Sequence, residues 1–507
     1  MPINFIPNDP AAGATAPKMR TITPRPTRAA TRSDFTFTNV APNGVAPPGT
    51  PQFLFWQARE GALAAVQAFE ASAGPHKAWQ GNRRKLALKQ DAGEDLNAFY
   101  DRNSVSFFHE QVKKTVYFSG ASTDVVSHEV GHALLDSIRP DLWDANFLEV
   151  GAFHEAFGDC MALLTALNDQ ETRTKLLAAA PNLRKRNFVE STAEELSKAI
   201  GLAIPGHNAA EPRHAFNTFK YQLPSTLPSD GGPGVLINEV HSFGMLFTGP
   251  FWDLIAAMFA AAPQKNEAAL LAAAQGAGKI LVAGIKNAVI TPRFIQSVGR
   301  AMTLADQSLN AGANRDRIRD AFGGHAIVLG SNALLAPTAA LAGDAPKGAT
   351  LTAATRKDLL RRMGSPSGAK LSVSATNMFG TPMVSAVQTR AVPLTGLHAK
   401  LKGVVAMAQE PVMVGSSGGK AAIMGAMPQS TNVDGEVQAF VDALVAHGRI
   451  RFDKPAAKKT MAAAAAPADQ RDHTTHAVVT VGDKKVLKRV RFSCACHPQG
   501  GGWLAHG

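Results

Sequence analysis

The residues best placed to do chemistry stand together as His128-Glu129-Val130-Gly131-His132. On a helix, positions four apart share a face, so both imidazoles can reach one metal ion. Glu129 lies one residue round from the first histidine, close to a water that such an ion would activate. Zinc lowers the pKa of that water to roughly 7, and a carboxylate beside it can take the proton as hydroxide attacks a carbonyl. The competing reading is a solvent-facing helix that carries two histidines. Gly131 argues against it, because glycine costs about 1 kcal/mol relative to alanine in a helix interior and calls for a close approach or packing that compensates.

A catalytic zinc requires a third protein ligand. Nineteen residues after His132 comes Gly151-Ala152-Phe153-His154-Glu155-Ala156-Phe157-Gly158-Asp159, inside a helical pattern. Glu155 and Asp159 stand four apart on one face. Glu155 can complete the site as a metal ligand, while Asp159 reaches the free N–H of a ligating imidazole.

With these residues in place, the chain resembles the thermolysin-like metallopeptidases, the gluzincins. Asp124-Val125-Val126-Ser127 leads into His128 as in the family pattern D-V-V-x-H-E-x-x-H, and the second block matches G-A-x-N-E-A-x-x-D with His154 in place of Asn. Upstream, Asn97-Ala98-Phe99-Tyr100 is similar to the family's N-A-F-W edge strand, which implies that Asn97 and Ala98 hold an extended peptide substrate. Val240-His241-Ser242-Phe243-Gly244 fits the family's late histidine, so the resemblance implies that His241 donates to the tetrahedral oxyanion. On its residues alone, a histidine opening an apolar helix reads as a satisfied polar group near a core. Arg213 resembles the arginine that grips a substrate carbonyl, and Asp320-Ala321-Phe322-Gly323-Gly324 resembles the family's closing helix. The likeness spans about 50–328.

The departures are specific. No Tyr lies between His132 and Glu155, where the family has one that assists the oxyanion, so His241 or another donor must supply that stabilisation. Such a donor is typically worth about 3–4 kcal/mol. Asp124 occupies a position that ligates calcium in thermolysin, but Ala166 stands where its carboxylate partner would be, so the double calcium site is expected to be absent, and calcium binding as such is left open. His154 can bond to His132 as Asn would, and the family's long propeptide is not visible.

The elements that must position these residues are legible in outline. Residues 1 to about 50 are rich in Pro, Thr, Ala and Arg without periodicity, which reads as an extended arm. A helix is expected from Phe53 to about Ala73. Ser104–Phe108 and Thr115–Phe118 then alternate as neighbouring strands. Further helices are expected from Ser122 or Thr123 to about Ser137 and over about 151–167, 235–261, 266–286, 292–309 and 313–322. Strands followed by helices predict an α+β unit over 51–328: a strand-containing N-terminal lobe, a mainly helical lobe and the zinc site between them. Residues 329–507, with short alternating runs at Val478–Val481 and Val486–Phe492, read as a separate, mostly β extension. The run Met461–Ala468 reads as a low-complexity linker or an exposed loop.

Composition narrows the function. Across 507 residues the net charge is +12, but residues 351–507 hold 20 Lys and Arg against 9 Asp and Glu, so nearly all the surplus is C-terminal. It lacks interleaved aromatics and any zinc-finger or RNA-binding motif, which argues against a nucleic-acid partner. Three cysteines exclude a disulfide framework. Cys160 reads as a buried small hydrophobe. The cluster Cys494-Ala495-Cys496-His497 could take a soft metal or oxidise, but it lacks the second pair of a structural zinc site. No uninterrupted apolar window long enough for a membrane span occurs, and no Sec-type signal is visible. That leaves the cytoplasm, a non-Sec export route or a mature form. The expectation is a zinc endopeptidase acting on proteins or peptides, with Glu129 as general base. The alternative is a zinc-binding protein of the same fold, with little turnover, whose basic C-terminal region is an interaction module.

Overall fold

The computed structural model describes residues 1–330, 335–365, 368–425, 432–452 and 473–494. The run Met461–Ala468 and the residues Cys496 and His497 lie outside them. The fold is mixed α+β.

The first fifty residues are tied down rather than free-standing. β1 (Ile3–Phe5) and β2 (Arg20–Ile22) form a two-stranded antiparallel sheet, and β3 (Asp34–Phe37) joins a larger one. Helix α1 (Pro51–Ala73) follows, with Thr50 capping its first turn through Phe53 N. β4 (Lys85–Lys89), β5 (Ala98–Tyr100) and β6 (Ser104–Phe107) complete the sheet, with β3, β4 and β6 parallel and β5 antiparallel to β6. β7 (His109–Val112) and β8 (Thr115–Phe118) make a separate hairpin. The alternating runs at 104–108 and 115–118 are therefore not paired with each other: an unrecognised strand, 109–112, takes the second of them.

Helix α2 (Thr123–Ile138) carries the first histidine pair. Its N-cap Ser122 accepts from Val125 N at 3.2 Å, and Asp124 sits in the first turn, where the helix dipole favours a carboxylate. Helix α3 (Leu148–Asn168) lies against α2 and carries the second block. α4 (Gln170–Ala179), β9 (Ser191–Thr192), α5 (Glu194–Ala203) and β10 (Arg213–His214) follow, with β9 and β10 antiparallel. Then come α6 (Val240–Ala261), α7 (Glu267–Asn287), α8 (Phe294–Asn310) and α9 (Arg315–Gly324). By length and composition α6 and α7 could each cross a membrane. Here α6 packs on α3, α7 and α9, and its residues from His241 to Trp252 are buried.

β11 (Pro337–Asp344), α10 (Ala353–Arg362), β12 (Leu371–Met378), β13 (Thr381–Pro393), β14 (Val404–Ser417), β15 (Lys420–Met424), α11 (Val433–Ala446), β16 (Ile450–Arg451), β17 (His476–Val481) and β18 (Lys484–Arg489) build the C-terminal region. Its strands form an eight-stranded sheet around the long β14, which pairs with β13, β15 and β18. This region shares its core with the rest. Val392, Leu394, Val404, Phe440, Leu444 and Leu487 belong to the same buried apolar cluster as the residues of α1 to α3 and α6 to α8, while a smaller cluster around Leu341, Leu359 and Val414 is its own. The last described strand, β19 (Phe492–Ser493), leaves the C-terminal sheet and adds to the N-terminal one, beside β5.

The N-terminal arm also locks the zinc-motif helix in place. Asn8 O accepts from Thr123 N at 3.0 Å, Asn8 Nδ2 donates to Asp124 Oδ1 at 3.2 Å, and Asp9 Oδ1 accepts from Glu195 N at 2.9 Å. Carboxylate oxygens of Asp9, Asp124 and Glu194 thereby come within 4.8 Å of one another. Ala166 is buried in the apolar core on α3, away from any such role. Burial first, and the Asp9 carboxylate second, push Glu194 up to about 9. A folded-state value above the unfolded one means that the native chain holds a proton that the unfolded chain has released. This group's contribution to stability therefore falls as pH rises from about 4.5 toward 9, by up to about 1.4 kcal/mol per pH unit. In denaturant titrations at pH 5 and pH 8.5, Glu194→Gln is expected to show a smaller loss of stability between the two than the native chain. Equal losses would refute this origin of the dependence.

Candidate metal centre

Helices α2 and α3 can meet closely because two glycines face each other. A Cβ on Gly131 would stand 3.0 Å from Gly158 Cα and 3.1 Å from Met161 Cβ, so the cost of glycine in a helix interior is offset by the approach it permits. A Cβ on Gly158 would lie 2.6 Å from His128 Nδ1. Gly244 does the same for α6, where a Cβ would meet Ala152 O at 2.9 Å. Three helices thus bring His128, His132, Glu155 and His241 to one point, all of them buried.

At that point each imidazole of the zinc motif has one nitrogen engaged and the other turned inward. His128 Nδ1 bonds to Asp159 Oδ1 at 2.8 Å, and its Nε2 stands 3.2 Å from Glu155 Oε2. His132 Nδ1 lies 3.0 Å from His154 Nδ1, and its Nε2 stands 3.5 Å from the same Glu155 oxygen. Burial and the neighbouring His132 hold His154 well below the usual imidazole range, so His154 is neutral and can accept the His132 N–H. The His132 Nε2 lone pair then faces Glu155. Ligands about 2.0–2.2 Å from a tetrahedral zinc are about 3.3–3.6 Å from each other, and the two distances to Glu155 are of that size. Glu155 has the charge state this requires: burial would raise its carboxyl, but His241, His132 and His128 together hold it well below the usual range. The three residues fit a zinc ion.

Glu129 is fully buried beside them. Neither of its oxygens has a hydrogen bond among the described residues. Burial first, then Cys494, push its carboxyl well up. A buried carboxyl group that no backbone N–H and no side-chain N–H or O–H holds is placed to take a proton rather than to hold structure.

The remaining sequence-derived residues fall around this point. His241 Nε2 approaches Glu155 Oε2 at 3.1 Å, and its Nδ1 bonds to Glu239 Oε1 at 2.8 Å. Glu239, the N-cap of α6, also accepts from His241 N and Ser242 N, so one carboxylate caps the helix and orients the imidazole. It escaped the sequence reading because Glu is not among the usual N-cap residues; its position two before His241 was the available signal. Arg213 is committed to Asp159 through Nε and Nη2, at 3.0 and 2.8 Å, which extends the chain His128–Asp159–Arg213. It also borders a cavity of about 290 Å³ shared with His241, Phe216, Phe219 and Met245. Two tyrosines are engaged elsewhere, Tyr100 donating to Asp136 and Tyr221 to Glu149. No known protein-family model matches the chain, and no curated protein matches it in sequence.

Asn97 and Ala98 lead into and begin β5, and both are occupied. Ser493 Oγ donates to Asn97 Oδ1 at 2.8 Å, and Cys494 N donates to Ala98 O at 2.9 Å. Cys494, read from the sequence as part of an isolated soft-metal cluster, lies instead with its sulfur within 4.8 Å of ligand atoms of His128 and Glu129.

The close contact at Gly158 gives a test of the positioning. Gly158→Ala must displace the His128 ring and lengthen its bond to Asp159, and loss of such an outer partner typically costs 10–100-fold in metal affinity. Competition titration with a chromophoric chelator should show a drop of about that size with helix content unchanged. An unaltered affinity would mean that the ring is not held by this contact.

Proposed function

We propose that this protein is a zinc-dependent endopeptidase of thermolysin-like architecture, in which a strand-bearing lobe and a helical lobe flank the metal. The observation that carries the reading is the convergence of His128, His132 and Glu155 within 4.8 Å beside a buried Glu129 that has no hydrogen-bond donor. Zinc bound by those three residues supplies a Lewis acid that polarises the scissile carbonyl and acidifies water. Glu129 takes the proton from that water and returns it to the leaving amine. His241, oriented by Glu239, donates to the developing oxyanion from a buried position, where such a bond is worth most. Asp159 and His154 fix the two ligating rings, with Arg213 holding Asp159. Asn97 and Ala98 pair with an extended peptide along β5 once Ser493 and Cys494 have left them. No nucleic-acid partner and no membrane span belong to this reading.

The second reading is a metal-binding protein of the same fold with little turnover. The strand lying on β5 favours it, because that strand fills the place where substrate would lie. Zinc stoichiometry and turnover of a peptide library, measured side by side on the full chain and on Cys494→Ser, separate the two. One zinc per chain and chelator-sensitive cleavage by either form support the peptidase. One zinc with no cleavage by either leaves the second reading.

A further inference from the structure

Without β19, β5 would be the edge strand on which a peptide substrate is expected to lie; the chain's own C-terminal strand takes that place. β19 runs antiparallel to β5, with Phe492 opposite Tyr100 and Ser493 opposite Phe99. The next residue continues the pairing through Cys494 N to Ala98 O. Backbone pairing plus alternate side chains in pockets is how an extended peptide is recognised by a sheet edge. Phe492 fills such a pocket: its ring stacks on His154 at 3.8 Å and on His132 at 4.9 Å, with the Arg489 guanidinium 4.1 Å from the ring centre. Trp143 closes the side, edge-on at 5.3 Å. The strand cannot drift from this register. Trp143 and Arg489 exchange two hydrogen bonds, Trp143 Nε1 to Arg489 O and Arg489 Nε to Trp143 O, both 3.2 Å.

Two residues after Phe492 stands a soft metal donor. Cys494 is buried, and its sulfur faces His128 and Glu129. A catalytic zinc with three protein ligands keeps one position open, and the Cys494 sulfur lies within 4.8 Å of a ligand atom of His128, one of the three, and of the Glu129 carboxylate beside them.

We propose that Cys494 is a fourth zinc ligand and that Phe492–Cys494 is a substrate-like block, so that the full chain is a latent enzyme. The inference rests on the zinc reading above. On coordination the Sγ–H bond breaks, a zinc–sulfur bond forms and the proton is released to solvent. The open position and the edge of β5 are then both filled by the chain itself. Activity requires the strand to leave, by cutting, by capture of the thiol or by a partner that binds it. A tethered occupant acts at an effective concentration of order mM. Against a peptide substrate of similar intrinsic affinity at about 10 μM, it would hold the rate roughly a hundredfold below that of the open enzyme.

X-ray absorption at the zinc edge tests this on the full chain without reference to activity. The native protein should show one sulfur at about 2.3 Å, and Cys494→Ser should show only nitrogen and oxygen neighbours. Peptidase activity should rise in Cys494→Ser, by up to roughly a hundredfold where loss of the sulfur frees the strand. In the native protein a small organomercurial should produce the same rise, which Cys494→Ser should not show. The mercurial arm guards against a variant that folds poorly. Stoichiometric zinc without a sulfur neighbour overturns the proposal while the metal site stands. Absence of zinc from the native protein overturns the metal site itself, and this inference with it.

Discussion

In a chain opened by Cys494→Ser, the further change Glu129→Gln is expected to lower kcat for peptide hydrolysis by 10²–10⁴-fold, the usual contribution of a general base. The amide keeps the size of the carboxylate but cannot take the proton from water. KM should change little, since the lost interaction is one made in the transition state rather than with bound substrate. Zinc content should stay at one per chain, because Glu129 is not among the three converging ligands. Stability should hold or rise, as both oxygens of Glu129 are buried without a hydrogen bond and an ionised group there is costly. Steady-state rates on a fluorogenic peptide, with metal analysis of the same samples, would check all three. A Gln variant that still cleaves at the parent rate would remove Glu129 from the chemistry.

Glu155→Ala should have the largest effect on the metal. Its Oε2 is the common neighbour of three imidazoles: His128 Nε2 at 3.2 Å, His132 Nε2 at 3.5 Å and His241 Nε2 at 3.1 Å. Without it the site loses its buried anionic ligand. An ion present at a thousand times its Kd stabilises the fold by about 4.1 kcal/mol, and that contribution disappears with the ligand. Breaking a buried charge network by removing one member costs about 3–5 kcal/mol besides. Thermal unfolding with and without EDTA is the measurement. EDTA should lower the midpoint of the native protein and leave that of Glu155→Ala unchanged. An equal EDTA shift in both would place the metal elsewhere.

The parts of this site that were legible in sequence share one property: their partners are close along the chain. His128 and His132 are one helical turn apart, and Glu155 and Asp159 repeat that spacing on the next helix, so the period of the helix alone aligns them. Gly131 signalled a close approach without naming its partner, which is Gly158. Short amphipathic helices were lost. α5 opens with two acidic residues and follows Ala193 in the left-handed conformation, so no side chain of the usual capping type marks its start. The C-terminal region read as separate because its strands alternate on their own account, yet Phe440, Leu444 and Leu487 pack into the core shared with α2 and α3. What no local pattern could give is the contact between Ser493 and Asn97, nearly four hundred residues apart. A strand of three residues, β5, and one of two, β19, carry it, and neither is long enough to name the other as its partner. Their meeting is set by the whole C-terminal sheet, through Arg489 and Trp143.

Anomalous diffraction from crystals of the full chain, recorded on both sides of the zinc absorption edge, addresses the central claim most directly. One edge-dependent peak is expected about 2.0–2.2 Å from His128 Nε2, His132 Nε2 and a Glu155 oxygen. Stoichiometric zinc bound elsewhere, or a zinc-incubated crystal with no peak between those three side chains, would contradict it.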